Sequence, residues 1–125
     1  MADLNSKIDN IVAGDDCDII REITNVPIGT SLTDAWFTIK EDYWDLSEIV
    51  VKHVTLALSD SGMIEDAGDD KVGVVRFRLS KEETELLYPH FEYDFDIKVK
   101  TEDGSYYTPE SGKLIAYHSV TVPEE

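Results

Sequence analysis

The sequence predicts an all-β fold, a sandwich or barrel of about seven strands, and three observations carry that reading. Apolar residues recur at period two along most of the chain, the mark of strands with one buried face. The alternating runs are bounded by Gly, Pro, Asn and Asp at intervals of roughly 10–20 residues. Strand and long helix patterns never take turns, which excludes a parallel βαβ sheet. The 125 residues suit one domain, and 42% hydrophobic with 10% aromatic residues is enough for a packed core. The expected plan is an N-terminal arm over 1–14, a single sandwich domain over 15–122 and an acidic tail over 123–125.

Each element has its own signal. Residues 1–14 mix polar groups with Ile8, Ile11 and Val12 and stop at Gly14. They read as an arm, either a short helical turn or an extended segment that orders against a neighbour. Cys17, Ile19 and Ile23 then share one strand face, with Asp18, Ile20 and Glu22 opposite, before the turn-rich Asn25-Val26-Pro27-Ile28-Gly29. Ala35, Phe37 and Ile39 alternate with Trp36, Thr38 and Lys40. Residues 49–58 are apolar and β-branched, and Met63-Ile64-Glu65 makes a short strand. Residues 72–79 place Val75, Phe77 and Leu79 on one side.

Ser80-Lys81-Glu82-Glu83 has the form of a capping box. It predicts one or two helical turns over 81–87, with Leu86 and Leu87 docked inward and Pro89 ending the helix. Residues 91–100 alternate most regularly: Phe91, Tyr93, Phe95, Ile97 and Val99 face in, charged residues face out. Asp103-Gly104 predicts a type I′ hairpin, in which both central residues need positive φ. Residues 105–108 pair back, 109–112 break the run, and 114–121 form the last strand before Glu124-Glu125. An immunoglobulin cysteine pair is absent, so its packing role falls to Phe37, Phe77, Phe95 and Ile97.

Asp and Glu number 27 against 11 Lys and Arg, a net charge of −16 and a pI near 4.3. That balance argues against nucleic acid, whose phosphates need a basic face, and against an anionic membrane surface. The single cysteine cannot close an intramolecular disulfide. No run approaches the roughly 18 apolar residues of a membrane-spanning helix. The opening residues lack the basic-then-apolar build of a signal peptide, so synthesis in the cytosol is expected.

Catalytic chemistry finds little footing. His53, His90 and His118 have no metal-ligand spacing, and neither acidic turn offers a calcium ladder, so no metal or cofactor is expected. Cys17 lies between Asp16 and Asp18, neighbours that raise a thiol pKa, so a core cysteine is the better reading than a nucleophile. No Gly-x-Ser-x-Gly elbow exists. The acidic clusters Glu41-Asp42 with Asp45, and Asp66 with Asp69-Asp70, read as solvated rims rather than a glycosidase pair. Trp36 stands opposite Phe37 on its strand. Either the loop over 41–48 covers it, or it anchors an interface, where tryptophan is enriched.

The order of features from the strand ending at Thr24 onward resembles a known family. It runs through Leu32-Thr33-Asp34-Ala35-Trp36-Phe37-Thr38-Ile39-Lys40, the turn Asp66-Ala67-Gly68-Asp69 and Val74-Val75-Arg76-Phe77-Arg78-Leu79-Ser80. The acidic capped turn, Tyr93-Asp94-Phe95-Asp96-Ile97-Lys98-Val99 and Asp103-Gly104-Ser105-Tyr106-Tyr107-Thr108 complete it. Over residues 15–117 this layout is similar to small immunoglobulin-like β-sandwich proteins among the structural genes of tailed bacteriophages and prophages. The motifs mark strands, a turn and a hairpin, so no catalytic residue carries over. The resemblance implies a non-enzymatic virion component, made in the host cytoplasm, that joins other virion structural proteins in multiple copies. Its place would be the tail, neck, baseplate or capsid decoration. The residues expected at contacts are Trp36, Tyr43, Trp44, Ile8, Ile11 and Val12. The alternative is a host-facing carbohydrate-binding module in which Trp36, Tyr43, Trp44 or Tyr106 stack on sugar rings.

Overall fold

The computed structural model describes residues 3–24, 30–42, 44, 47–68 and 72–119. Among these residues the chain forms eight strands and one short helix. They are β1 (Asp3–Val12), β2 (Cys17–Ile23), β3 (Leu32–Lys40), β4 (Val50–Thr55), β5 (Gly62–Asp66), β6 (Gly73–Leu79), α1 (Lys81–Thr84), β7 (Glu92–Thr101) and β8 (Tyr106–Tyr117). A five-stranded sheet in the order β1-β8-β7-β3-β4 packs on a three-stranded sheet in the order β2-β6-β5. The all-β sandwich follows from the alternation, and this strand order is of the immunoglobulin type.

The core lies between the sheets, where the inward rows meet. Tyr93, Phe95, Ile97 and Val99 of β7 are all buried, as their period-two spacing requires. Phe37 of β3 meets Phe77 of the opposite sheet with ring centroids 5.5 Å apart, and Phe95 of its own sheet at 5.8 Å. Burying each such ring stabilises the fold by about 1.5–3 kcal/mol. Two residues before Phe95, the buried Tyr93 uses its hydroxyl to accept the Tyr88 N–H at 2.7 Å. That bond is the tyrosine corner of immunoglobulin sandwiches.

Polar bridges tie the layers at their margins. Arg21 of β2 reaches Glu110 of β8 at 2.9 Å, and the Ser6 hydroxyl of β1 donates to the same carboxylate at 2.6 Å. The capping box at Ser80 is formed in both directions, with Glu83 N–H donating to Ser80 Oγ and Ser80 N–H to Glu83 Oε1. Lys52, buried on β4, donates to both oxygens of Glu83 at 2.8 and 2.9 Å. Burial pushes the Glu83 carboxyl up, but the bonds from Lys52 and Ser80 outweigh it and hold the group below its usual range.

Several expectations need correction. Residues 3–12 are extended, one of the two forms expected of the arm, but they belong to the sandwich itself as β1, parallel to β8, with Ile8 opposite Leu114 and Ile11 opposite Ala116. Three residues of β1 span two of β8 both before Ser6 and after Ile8. These bulges let Ile8 and Ile11, three apart, both face the core. Gly112 permits the approach, since a Cβ there would lie 1.9 Å from the Ser6 carbonyl oxygen.

Residues 109–112 do not break the last run either. β8 continues through them because the buried Pro109 sits in a bulge opposite Ile97 to Val99, where no ladder donor is needed. The strand ends at Tyr117 rather than 121. The hairpin at Asp103-Gly104 is not type I′, for only Gly104 has positive φ, at 87°. Its Gly104 N–H donates to Thr101 O and Thr101 N–H to Ser105 O, a three-residue loop closed by a left-handed glycine. Helix α1 stops at Thr84, leaving Leu87 buried but Leu86 and Phe91 exposed, against the inward docking expected of both. The tail over 123–125 lies outside the described residues.

Candidate interaction face

The outward side of the five-stranded sheet brings together the side chains that alternate against the core row. On β3 these are Asp34, Trp36, Thr38 and Lys40, and Trp36 lies opposite His53 of β4 and Lys98 of β7. The Trp36 and His53 rings stack at 4.9 Å between centroids and 6° between planes. Tyr106 of β8 flanks Trp36 at 6.1 Å, and Lys100 Nζ lies 5.8 Å from the Tyr106 ring centre. His53 Nε2 pairs with Asp34 Oδ1 at 2.8 Å. That hydrogen bond is the main reason the Asp34 carboxyl is held below its ordinary value.

The charge on this face is unlike that of the rest of the chain. On the outward sides of β3, β7 and β8, Lys40, Lys98, Lys100 and Lys113 match Asp34, Glu92, Asp94 and Asp96 in number, in a chain of net −16. Lys113 pairs with Asp94. Lys98 and Lys100 have no carboxylate within ion-pair distance among the described residues. A groove of about 580 Å³ opens on the same side, bounded by Leu4, Thr38, Lys40, Asp96, Gly112 and Lys113. Burial pushes the Asp96 carboxyl up against the pull of Lys98 and Lys40.

Of the residues expected at contacts, Trp36 is half-buried within this aromatic row, under side chains of its own face. Trp44 is 83% exposed, its backbone N–H donating to Asp42 Oδ1 at 3.0 Å. Tyr43 lies outside the described residues. Ile8 and Ile11 are core residues, 2% and 0% exposed, and Val12 is half-buried, so the two isoleucines are not available to a partner. Period-two spacing pointed to the outward row. The stacking of His53 on Trp36 had no signal in the sequence, because the β3–β4 register is a tertiary fact.

Among the described residues, those weighed for catalysis lie apart from one another. Cys17 is half-buried against the core, and burial, then Asp18 and Asp15, push its thiol up, away from the nucleophilic thiolate. Asp66 Oδ1 accepts the Gly68 N–H at 2.9 Å, a local turn, while Asp45, Asp69 and Asp70 lie outside the described residues. Among the described residues no three His, Cys, Asp or Glu side chains converge as a metal site. Fold and face define an immunoglobulin-type β-sandwich with a charge-balanced aromatic surface. No family model matches the chain, and no curated protein matches its sequence.

Proposed function

We propose that the protein is a non-enzymatic structural subunit of a tailed-phage virion that assembles through protein–protein contacts, using the outward face of its five-stranded sheet. One observation carries the contact surface: aromatic side chains and unpaired lysines gather on a charge-balanced face of a strongly acidic chain. Interface centres are enriched in aromatic residues, and like-charge repulsion is least where a face balances its charges. The virion assignment rests on the resemblance of residues 15–117 to small phage sandwich proteins. High negative charge elsewhere keeps the free subunit soluble before assembly.

The test is light scattering of the purified chain, alone and mixed with co-expressed structural proteins from the same genome. A folded chain that enters a large complex, and leaves it when Trp36→Ala and Lys98→Glu are introduced together, is the expected result. A double variant that enters the complex unchanged sinks this face as the contact.

A carbohydrate-binding module is the second reading, and Trp44 and Tyr106, 83% and 56% exposed, are the observation in its favour. Trp36 does not serve it, because His53 stacks on its ring and Tyr106 flanks it. A glycan array without a hit removes this alternative.

A further inference from the structure

Among the described residues both sheets end in strands paired on one side only, β1 and β4 in one sheet, β2 and β5 in the other. The outward N–H and C=O groups of such an edge are a template for a strand of another chain. Two of the four edges are irregular. β1 is interrupted by two bulges, and β5 has five residues and a bulge between Ile64 and Asp66. Bulges and shortness spoil an edge as a template. β2 and β4 lack them: their registers run unbroken over Cys17–Ile23 and Val50–Thr55.

Those two regular edges share another feature. Of the lysines and arginines on the described strands, only Arg21 of β2 and Lys52 of β4 stand in an inward row. Arg21 lies between Ile19 and Ile23 in that row, and Lys52 between Val50 and Val54. A cation among apolar side chains is costly unless paired. Each has a carboxylate from elsewhere in the fold, Glu110 of the opposite sheet for Arg21 and Glu83 of α1 for Lys52. Both pairs still reach water, with 31% of the Arg21 side chain and 28% of that of Glu83 exposed.

We propose that Lys52 and Arg21 guard the edges, keeping β4 and β2 from adding a strand of another chain. A strand laid beside either edge, about 4.8 Å away, would bring its own inward side chains alongside the ion pair and shut out its water. The attraction within a pair often fails to repay that desolvation. Two edges are thus spoiled by irregular backbone and two by an inward charge, which leaves the sheet faces as the route to a partner. The inference concerns the backbone edges, whichever protein the outward face meets, so it goes beyond the contact surface proposed above.

The test replaces each pair by uncharged side chains of similar shape in the full chain. Lys52→Met with Glu83→Gln keeps the capping box, which glutamine also closes. Arg21→Met with Glu110→Gln keeps an acceptor for the Ser6 hydroxyl. Each double variant is expected to melt near or above wild type, because apolar replacement of a buried pair is often neutral or stabilising. Its self-association constant, from sedimentation velocity between about 10 μM and about 1 mM, is expected to rise about tenfold or more. Amide exchange should slow with concentration over 50–55 in the first variant and over 17–23 in the second, and over neither in wild type.

A folded double variant that associates no more than wild type overturns the proposal and leaves its ion pair a tie between layers. So does gained association that vanishes when Trp36→Ala is added, since it then runs through the face. If replacing one pair unfolds the chain, the other pair decides by the same readings. Concentration-dependent protection over 50–55 or 17–23 in wild type overturns the proposal whatever the variants do. Loss of the virion complex on Trp36→Ala with Lys98→Glu leaves the guards untouched, and failed guards leave that contact face standing.

Discussion

The two outward faces of the sandwich are built on the same alternation and end in different chemistry. On the three-stranded sheet, Arg76 of β6 lies 3.3 Å from Asp18 of β2 and 3.1 Å from Glu65 of β5, and Arg78 reaches Asp18 at 3.4 Å. Each arginine there has a carboxylate across the ladder. On the five-stranded sheet the same cross-strand positions hold Trp36, His53 and Tyr106, and beside the Lys113–Asp94 and His53–Asp34 pairs Lys98 and Lys100 have no ion pair among the described residues. A face whose charges are satisfied by each other has little left for a partner. A charge-balanced face with aromatic rings retains binding energy that only another molecule can use.

The largest expected effect lies in the core that both faces share. Phe37→Ala empties the space between Phe77 and Phe95 and should cost about 3–5 kcal/mol in urea unfolding. Because it underlies both sheets, it should lower stability without singling out either face. A loss under about 1 kcal/mol would mean that the ring contacts at 5.5 and 5.8 Å are not the centre of the packing.

Arg76→Ala comes next and tests the closed face alone. Its ion pairs are partly exposed, so a loss of no more than about 1 kcal/mol is expected, with association unchanged. Complex formation that falls with this variant as it does with Trp36→Ala and Lys98→Glu together would erase the contrast between the faces.

Asp96→Asn is the smallest and the most specific to the open face. Burial raises the folded carboxyl above 3.8, so ionised Asp96 costs stability and protonated Asp96 does not. The Asp96 contribution to stability therefore falls as pH rises from about 3.8 through the raised value, a loss that asparagine lacks. The stability of the variant relative to wild type should thus be greater at pH 7 than at pH 3, read by thermal unfolding at both. A difference that is the same at both pH values would place Asp96 in water rather than in the groove.

Legibility followed the regularity of the strands. β7 was readable residue by residue, since no bulge interrupts Tyr93, Phe95, Ile97 and Val99. β3 was equally plain, and its outward Trp36 marked the face. β1 was not, because it carries two bulges, and the second converts its period of two into the three-residue step from Ile8 to Ile11. Its partner strand β8 also lies about a hundred residues away, beyond any local pattern. Pro109 read as a break because its missing donor is harmless only inside a bulge, and a bulge is defined by the opposite strand. The exposure of Leu86 and Phe91 was hidden for a related reason. Leu86 and Phe91 continue apolar patterns in the chain, but α1 ends after a single turn and the tyrosine corner turns their side chains outward.

Composition and alternation alone account for an acidic all-β domain, its aromatic core and its capped turn at Ser80, because these depend on neighbours two to four residues apart. Which residues meet across the sheets was settled by pairing and register. Only folding places His53 on Trp36, Lys52 on Glu83 and Arg21 on Glu110, and only the packed sandwich leaves Tyr88 in solvent while taking Ile8 and Ile11 inside. Those outcomes depend on which strands lie side by side, and no local run of residues encodes that.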